Sequence, residues 1–274
     1  MKNIIFYFSG TGNTWYAAKA LQKALIEEQT LCISIENDLL THQYINELIE
    51  NSDQIIIGYP IYGSRAPEPM IRFINSLPVQ SHKKPIAIFC TQAYMSGDGA
   101  NYLEKTLGKK GYYLTQTVEL KMSNNFYVPT FVRAFKVGDQ EKINIRNEKA
   151  VTDINEFAGF IRNRQKSIKH PNLIEKSLGK IQRKEIDKHI KKVGDALYSD
   201  DTCIGCGMCV KLCPEANITM EEKISFGNNC AACMRCYQSC PVSSIQITPA
   251  SKDLIKYPRF KGPIKNFNFN VLQE

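Results

Sequence analysis

Residues Asn3-Ile4-Ile5-Phe6-Tyr7-Phe8-Ser9-Gly10-Thr11-Gly12-Asn13-Thr14 run from a short apolar stretch, through a turn of glycines and hydroxyls, into a helical pattern. Asn3 to Phe8 is expected as a strand, and the helix is expected from Thr14 to about Glu28. A strand that feeds a helix through such a turn makes an anion site. The helix N-terminus presents backbone N–H groups without intrahelical partners, at the positive end of the dipole. Gly10 and Gly12 allow close backbone approach, and the hydroxyls of Ser9, Thr11 and Thr14 add donors. The turn lacks the Gly-Lys-Ser/Thr ending of a Walker loop. It also lacks the third glycine and the spacing of the dinucleotide fingerprint.

The same rhythm continues outward. Further strands are expected at Leu31 to Ile35, Gln54 to Tyr59, Pro85 to Thr91 and Tyr112 to Lys121, with helical patterns at Thr41 to Asn51, Glu68 to Ser76 and Gly99 to Lys109. Continuous apolar strands separated by helices predict an α/β fold, a doubly wound five-stranded parallel sheet covered on both faces. Met122 to Val137 is too polar and broken for a strand and is expected as a long loop, followed by a helix from about Gln140 to Ser167.

The turn from Ser9 to Thr14 resembles the phosphate loop of flavodoxins, whose hydroxyl-rich form holds the terminal phosphate of FMN without a cationic side chain. The resemblance extends over about residues 1 to 165 and implies a flavodoxin-like sheet of order 2-1-3-4-5. It also implies two more loops around the flavin ring, each directly after a strand at the sheet edge where ligands bind. One contains Pro60, Ile61, Tyr62 and Gly63, the other Thr91, Gln92, Ala93, Tyr94, Gly97, Asp98 and Gly99. With Ser9, Gly10, Thr11, Gly12, Asn13 and Thr14, these residues are the expected cofactor contacts. Tyr62 is a candidate to stack on the ring, and Asn124, Asn125 or Tyr127 of the long loop to close over it.

Eight of the ten cysteines fall between Cys203 and Cys240. Cys203, Cys206, Cys209 and Cys213-Pro214 form a C-x2-C-x2-C-x3-C-P run, and Cys230, Cys233, Cys236 and Cys240-Pro241 repeat it. This is the bacterial iron–sulfur run, in which three close thiolates bind one cluster and the fourth cysteine reaches the other. The expected quartets are therefore Cys203, Cys206, Cys209 and Cys240 for one [4Fe–4S] cluster and Cys230, Cys233, Cys236 and Cys213 for the second. Paired zinc sites are the alternative reading, but zinc motifs commonly space two short C-x-x-C elements farther apart. The segment resembles two-cluster bacterial ferredoxins and departs from them at no ligand position. Cys32 and Cys90 lie in expected strands and read as buried core thiols. His42, His82, His170 and His189 share no motif.

The net charge of +8 gathers between about Arg162 and Lys192 and in the C-terminal tail. Glu175, Glu185 and Asp187 interrupt the basic stretch and no aromatic platform accompanies it, so nucleic acid is not an expected partner. No apolar run of about eighteen residues suggests a membrane span, and no signal peptide is recognisable, so the cytoplasm is the expected compartment. The chain is expected to divide into a flavodoxin-like domain (1–170), a basic helical linker (171–198), a small α+β ferredoxin domain (199–250) and a tail (251–274).

As a whole the sequence resembles the flavodoxin–ferredoxin fusion proteins of anaerobic bacteria and archaea. That resemblance implies FMN, two [4Fe–4S] clusters, oxygen sensitivity and electron exchange with a redox partner protein. An electron carrier is preferred to an FMN-dependent reductase of a small organic acceptor fed by its own ferredoxin domain. No catalytic triad or carboxylate pair is recognisable.

Overall fold

The computed structural model describes residues 1–129 and 136–274; residues 130–135 of the expected long loop, Phe131 among them, lie outside the described residues. Five strands, β1 (Asn3–Tyr7), β2 (Thr30–Ser34), β3 (Gln54–Pro60), β4 (Lys84–Gln92) and β5 (Tyr112–Lys121), form one parallel sheet in the order β2-β1-β3-β4-β5. Side chains alternate across a strand, and here both faces are apolar. Ile4, Phe6, Ile55 and Ile57 face one core, while Ile5, Tyr7, Ile56 and Phe89 face the other.

The first core is covered by α2 (His42–Glu50), α3 (Glu68–Ser76) and α4 (Glu104–Lys109), and the second by α1 (Asn13–Ala24) and α5 (Gln140–Arg162). The helix expected over Gly99 to Lys109 divides into a 3-10 turn, Gly99–Asn101, and α4.

The C-terminal edge of the sheet carries the three loops of interest. Tyr7 pairs with Gly58, and Pro60 with Thr91, so the chain leaves β1, β3 and β4 side by side. Backbone bonds tie the loop bases together, Phe8 N to Gly58 O at 3.0 Å, Ile61 N to Thr91 O at 2.9 Å and Met122 N to Gln92 O at 2.8 Å.

Helix α6 (Leu173–Ala196) fills nearly all of the expected basic linker, 171–198. Asn172 caps it and Glu175 returns the bond, a capping box that starts the helix directly after His170-Pro171. The cysteine region follows, with short antiparallel pairs β6 (Tyr198–Ser199) with β9 (Ile245–Gln246) and β7 (Ile218–Met220) with β8 (Ile224–Phe226), and helices α7 (Met208–Lys211) and α8 (Arg235–Ser239).

The tail then returns to the sheet. Phe267, Phe269 and Leu272 are buried with Leu212, and Phe267 packs against Trp15 with ring centroids 5.2 Å apart. Ser34 N donates to Glu274 O at 3.0 Å beside β2. No helix among the described residues is long and apolar enough to cross a membrane.

Candidate functional site

The loop Ser9–Thr14 is buried, and α1 begins behind Gly12 with no side-chain cap and no acidic residue in its first turn. Its first N–H groups therefore keep the character of an anion site. Ser9 Oγ accepts from Gly12 N at 3.1 Å, and the Thr14 and Thr91 hydroxyls meet at 2.8 Å, joining the first and third loops.

A cavity of about 660 Å³ opens between these loops, within the range of small-molecule sites. Asn13, Pro60 to Ser64, Thr91 to Met95 and Ser123 to Phe126 form its sides. Asn13 Oδ1, Gln92 Oε1 and Ser123 Oγ are buried there without hydrogen-bond partners among the described residues. Buried polar atoms ordinarily have partners, so these orphaned groups suit a ligand that carries polar atoms. Together with the uncapped α1, they fit a phosphorylated, polar-rimmed cofactor.

Of the expected contacts, Asn13, Pro60, Ile61, Tyr62, Gly63, Thr91, Gln92, Ala93 and Tyr94 line the cavity. Gly10 lies behind Tyr62, where an ideal Cβ would come within 2.6 Å of the Tyr62 hydroxyl and 2.8 Å of Cys233 O. Burial pushes the Tyr62 phenol well above its usual range, and the neighbouring Cys233 adds to this. Ser9, Gly10, Thr11, Gly12 and Thr14 lie behind this lining, and Gly97, Asp98 and Gly99 do not line the cavity either. Asp98 binds both terminal nitrogens of Arg183 on α6, at 2.9 Å for the Nη2–Oδ2 contact, and Gly97 and Gly179 pass closely enough that neither has room for a Cβ.

The long loop supplies Asn124 and Asn125 to the cavity, whereas Tyr127 is buried against Tyr257, ring centroids 5.5 Å apart. Asn125 Nδ2 donates to Thr11 Oγ1, and Asn13 Nδ2 donates to Ser123 O at 2.8 Å, so this loop is sewn to the first.

Two walls of the cavity were not anticipated. Gln182, Glu185, Ile186, His189 and Ile190, on one face of α6, form its roof. Their spacing of three and four is the helical stripe. Arg65 pairs with Asp187, and Ser64 with Gln182, fixing the roof to the second loop. The other wall is Ala232-Cys233-Met234 of the cysteine region.

The eight clustered cysteines separate into two groups. Cys203, Cys206, Cys209 and Cys240 line one small cavity, and Cys213, Cys230, Cys233 and Cys236 another. Cys203 and Cys206 are exposed, while Cys236 is buried. The repeat in sequence is also a repeat in bonding. Asn217 N points at Cys213 Sγ at 3.3 Å, and Ser244 N at Cys240 Sγ at 3.2 Å, in each case four residues on. Amide donors aimed at sulfur suit thiolate ligands of iron–sulfur clusters. The backbone N–H of Gly205 lowers the Cys203 thiol, whereas burial raises Cys233 to about 12.

Arg235 was missed by the sequence reading. It lies between Cys233 and Cys236 and is fully buried, with Glu36 opposite it at 2.6 and 2.9 Å. Burial opposes its charge, but the Glu36 carboxylate, with Cys233 and Tyr62 adding to it, holds its pKa above the usual value. One signal was present in the repeat: Met208 occupies the corresponding place in the first copy.

A flavodoxin domain model matches residues 4–128, and a 4Fe-4S dicluster domain model matches residues 196–241. Similar solved structures include the flavodiiron core of Flv1 from Synechocystis, with 19% identity over 59% of this chain and 36% of that one, at a TM-score of 0.40. This chain thus spans about a third of the length of that protein. A flavodoxin from Archaea shows 15% identity over 59% of this chain and 99% of its own, at 0.39. The FMN-bound flavodoxin of Fusobacterium nucleatum shows 16% identity over 60% and 99%, at 0.40. Among curated proteins, none matches the chain. The two matched domains, a flavodoxin domain and a 4Fe-4S dicluster domain, follow one another along the sequence in the order of a flavodoxin–ferredoxin fusion, in agreement with the sheet order and the cysteine repeat.

Proposed function

We propose that the chain passes electrons between a redox partner protein, which meets the Cys203 quartet, and FMN in the cavity roofed by α6, by way of the Cys213 quartet. One observation carries this order. Cys233 lines both the second quartet's cavity and the large cavity, whereas Cys203 and Cys206 reach solvent. When bound, the clusters carry electrons singly and FMN can hold one or two.

The residues of this chain place and enclose those groups. The N–H groups of the Ser9–Thr14 turn and the start of α1 would take the phosphate. Asn13, Gln92 and Ser123 would meet polar atoms of the cofactor with the side-chain atoms that otherwise lack partners. Ile186 and Ile190 exclude water from above. All ten cysteines are free of disulfides, which fits the reducing cytoplasm as the site of action.

The test is anaerobic purification with iron, sulfide and flavin analysis, then reduction by a one-electron donor protein. The expected result is about eight irons per chain, one FMN, and flavin reduction that slows at least tenfold when Cys203 and Cys206 are both replaced by Ser. Unchanged flavin reduction in that variant would refute the order.

A second reading, reduction of a small organic acceptor inside the cavity, is favoured by Glu185 and His189 in its roof, side chains able to exchange a proton or bind a polar substrate. Its support would be turnover of such an acceptor that falls in Glu185→Gln while one-electron transfer persists.

A further inference from the structure

The cysteine repeat is close to symmetric, and its departures from symmetry cluster on one side. Met208, Val210 and Lys211 of the first copy correspond to Arg235, Tyr237 and Gln238 of the second. Those three are fully buried, facing the flavodoxin domain and the tail, whereas Lys211 is exposed. The largest change in chemistry is methionine to arginine, two residues after Cys233 and directly before Cys236.

All five guanidinium N–H donors of Arg235 are used. Nε donates to Gly10 O at 3.1 Å and Nη2 to Ser9 O at 2.8 Å. Nη1 donates to Leu212 O at 2.9 Å, and the remaining two donors hold the Glu36 carboxylate. In a trans peptide the C=O and the following N–H point in opposite directions, and no peptide described here is cis. By drawing the carbonyls of Ser9 and Gly10 toward itself, Arg235 therefore turns the N–H groups of Gly10 and Thr11 away, presenting them as anion donors. A buried charge requires a partner, and Glu36, from the segment after β2, supplies it.

We propose that Arg235 and Glu36 form a positioning pair with two effects: Arg235 sets the orientation of the phosphate loop, and the balance of the two charges sets the potential of the second cluster. The proposal rests on the reading that the cavity holds FMN and the Cys213 quartet a cluster. Each electron added to a cluster makes it more negative, so an unbalanced guanidinium beside it favours the reduced form. An unbalanced carboxylate favours the oxidised form. Arg235 lines the second quartet's cavity and not the first's, so the first quartet serves as an internal reference.

The test is an anaerobic redox titration of the holoprotein followed by electron spin resonance, with FMN binding to the flavin-stripped protein measured separately by flavin fluorescence. Glu36→Gln keeps the shape of the side chain and removes its charge. It is expected to shift the oxidised-to-reduced ratio of the second cluster at least tenfold toward reduced, which is 59 mV for one electron, and the first cluster by much less. Arg235→Met, which copies the first repeat, is expected to shift the second cluster the other way and weaken FMN binding at least tenfold. Arg235→Lys keeps the charge without the fork, so it is expected to restore the potential and leave FMN binding weak. Equal shifts in both clusters, or none, with Glu36→Gln would overturn the charge effect. Native FMN affinity in Arg235→Met would overturn the positioning effect. Both readouts are equilibria, so they stand even if electrons fail to pass from cluster to flavin in the native protein; that failure would count against the proposed function alone.

Discussion

Helix α6 has a glycine, Gly179, where it crosses the third loop, and replacing it with alanine distinguishes a docked roof from a tethered linker. In a free helix Gly→Ala stabilises by about 1 kcal/mol. Gly159, on α5, meets that condition, because a Cβ there would have nothing within 4 Å. At Gly179 an ideal Cβ would lie 1.8 Å from Asp98 Oδ1, 2.8 Å from its Cγ and 3.0 Å from Arg183 Nη1. Asp98 is short and held on both oxygens by Arg183, so either the ion pair opens or the helix lifts. Forcing atoms into a packed site costs about 1–3 kcal/mol, and weakening a partly buried charged hydrogen bond costs about 1.5–3 kcal/mol. Taking about 3 kcal/mol for the loss and about 1 kcal/mol for the helical gain leaves about 2 kcal/mol of net destabilisation in Gly179→Ala.

Amide hydrogen exchange reads this locally, since it reports the opening of each segment separately. In Gly179→Ala the α6 amides are expected to exchange about thirtyfold faster, and in Gly159→Ala the α5 amides about fivefold slower, from 1.36 kcal/mol per factor of ten. If α6 protection instead rises in Gly179→Ala, the helix does not rest on Asp98, and the roofed cavity is wrong.

Tyr127→Ala is expected to cost about 3 kcal/mol in stability, in the range of large-to-small core changes, with FMN affinity unchanged, because its ring packs on Tyr257; fluorescence titration and thermal melting separate the two. Asn125→Ala is expected to reduce FMN affinity about fivefold through the lost bond to Thr11, worth about 1 kcal/mol. Phe267→Ala should destabilise the protein by about 3–5 kcal/mol and red-shift the emission of Trp15, the sole tryptophan and its ring neighbour. Cys203→Ser and Cys230→Ser should each lose about four irons per chain, but only Cys230→Ser should also weaken FMN binding, since its quartet includes Cys233 in the cavity wall.

The sheet was legible because its signals are local. Each strand is a continuous apolar run bounded by turn residues, and burial on both faces requires just that. Three cysteines of each group share short-range x2 spacing, whereas the fourth, Cys240 or Cys213, lies in the other run and depends on the repeat being recognised as a whole. The roof was harder to see. Gln182, Ile186 and Ile190 are ordinary helix residues, and their direction depends on Arg183 meeting Asp98, a contact 85 residues apart in sequence. Asp98 therefore looked like a flavin contact, since the loop that carries it does line the cavity a few residues earlier. The start of α6 is legible in principle, because Asn172 and Glu175 have capping-box spacing. Arg235 was hidden for a different reason. Inside a motif dominated by cysteines, the residues between ligands carry no pattern, and the contrast with Met208 gains meaning only once the second copy is seen to face the phosphate loop.

Placing the roof and the Cys233 wall on the ferredoxin side of the chain has a thermodynamic consequence. The FMN cavity is complete only when the two modules are docked, so any ligand that prefers the complete cavity stabilises docking by the same amount that docking raises its affinity. Covalent connection makes docking intramolecular, replacing a diffusive encounter with an effective concentration fixed by the connection. Here that connection is α6 itself, 24 residues of continuous helix, and a helix rises about 1.5 Å per residue. A helix of that length cannot reel in slack as a disordered linker would, which leaves little freedom to arrange the modules differently. The tail adds a second tether, returning past Gly12 through Pro263 and Phe267 to bond beside β2. Two connections, one reaching the second and third loops and one the phosphate loop, restrain rotation as well as separation and hold Cys233 in the cavity wall.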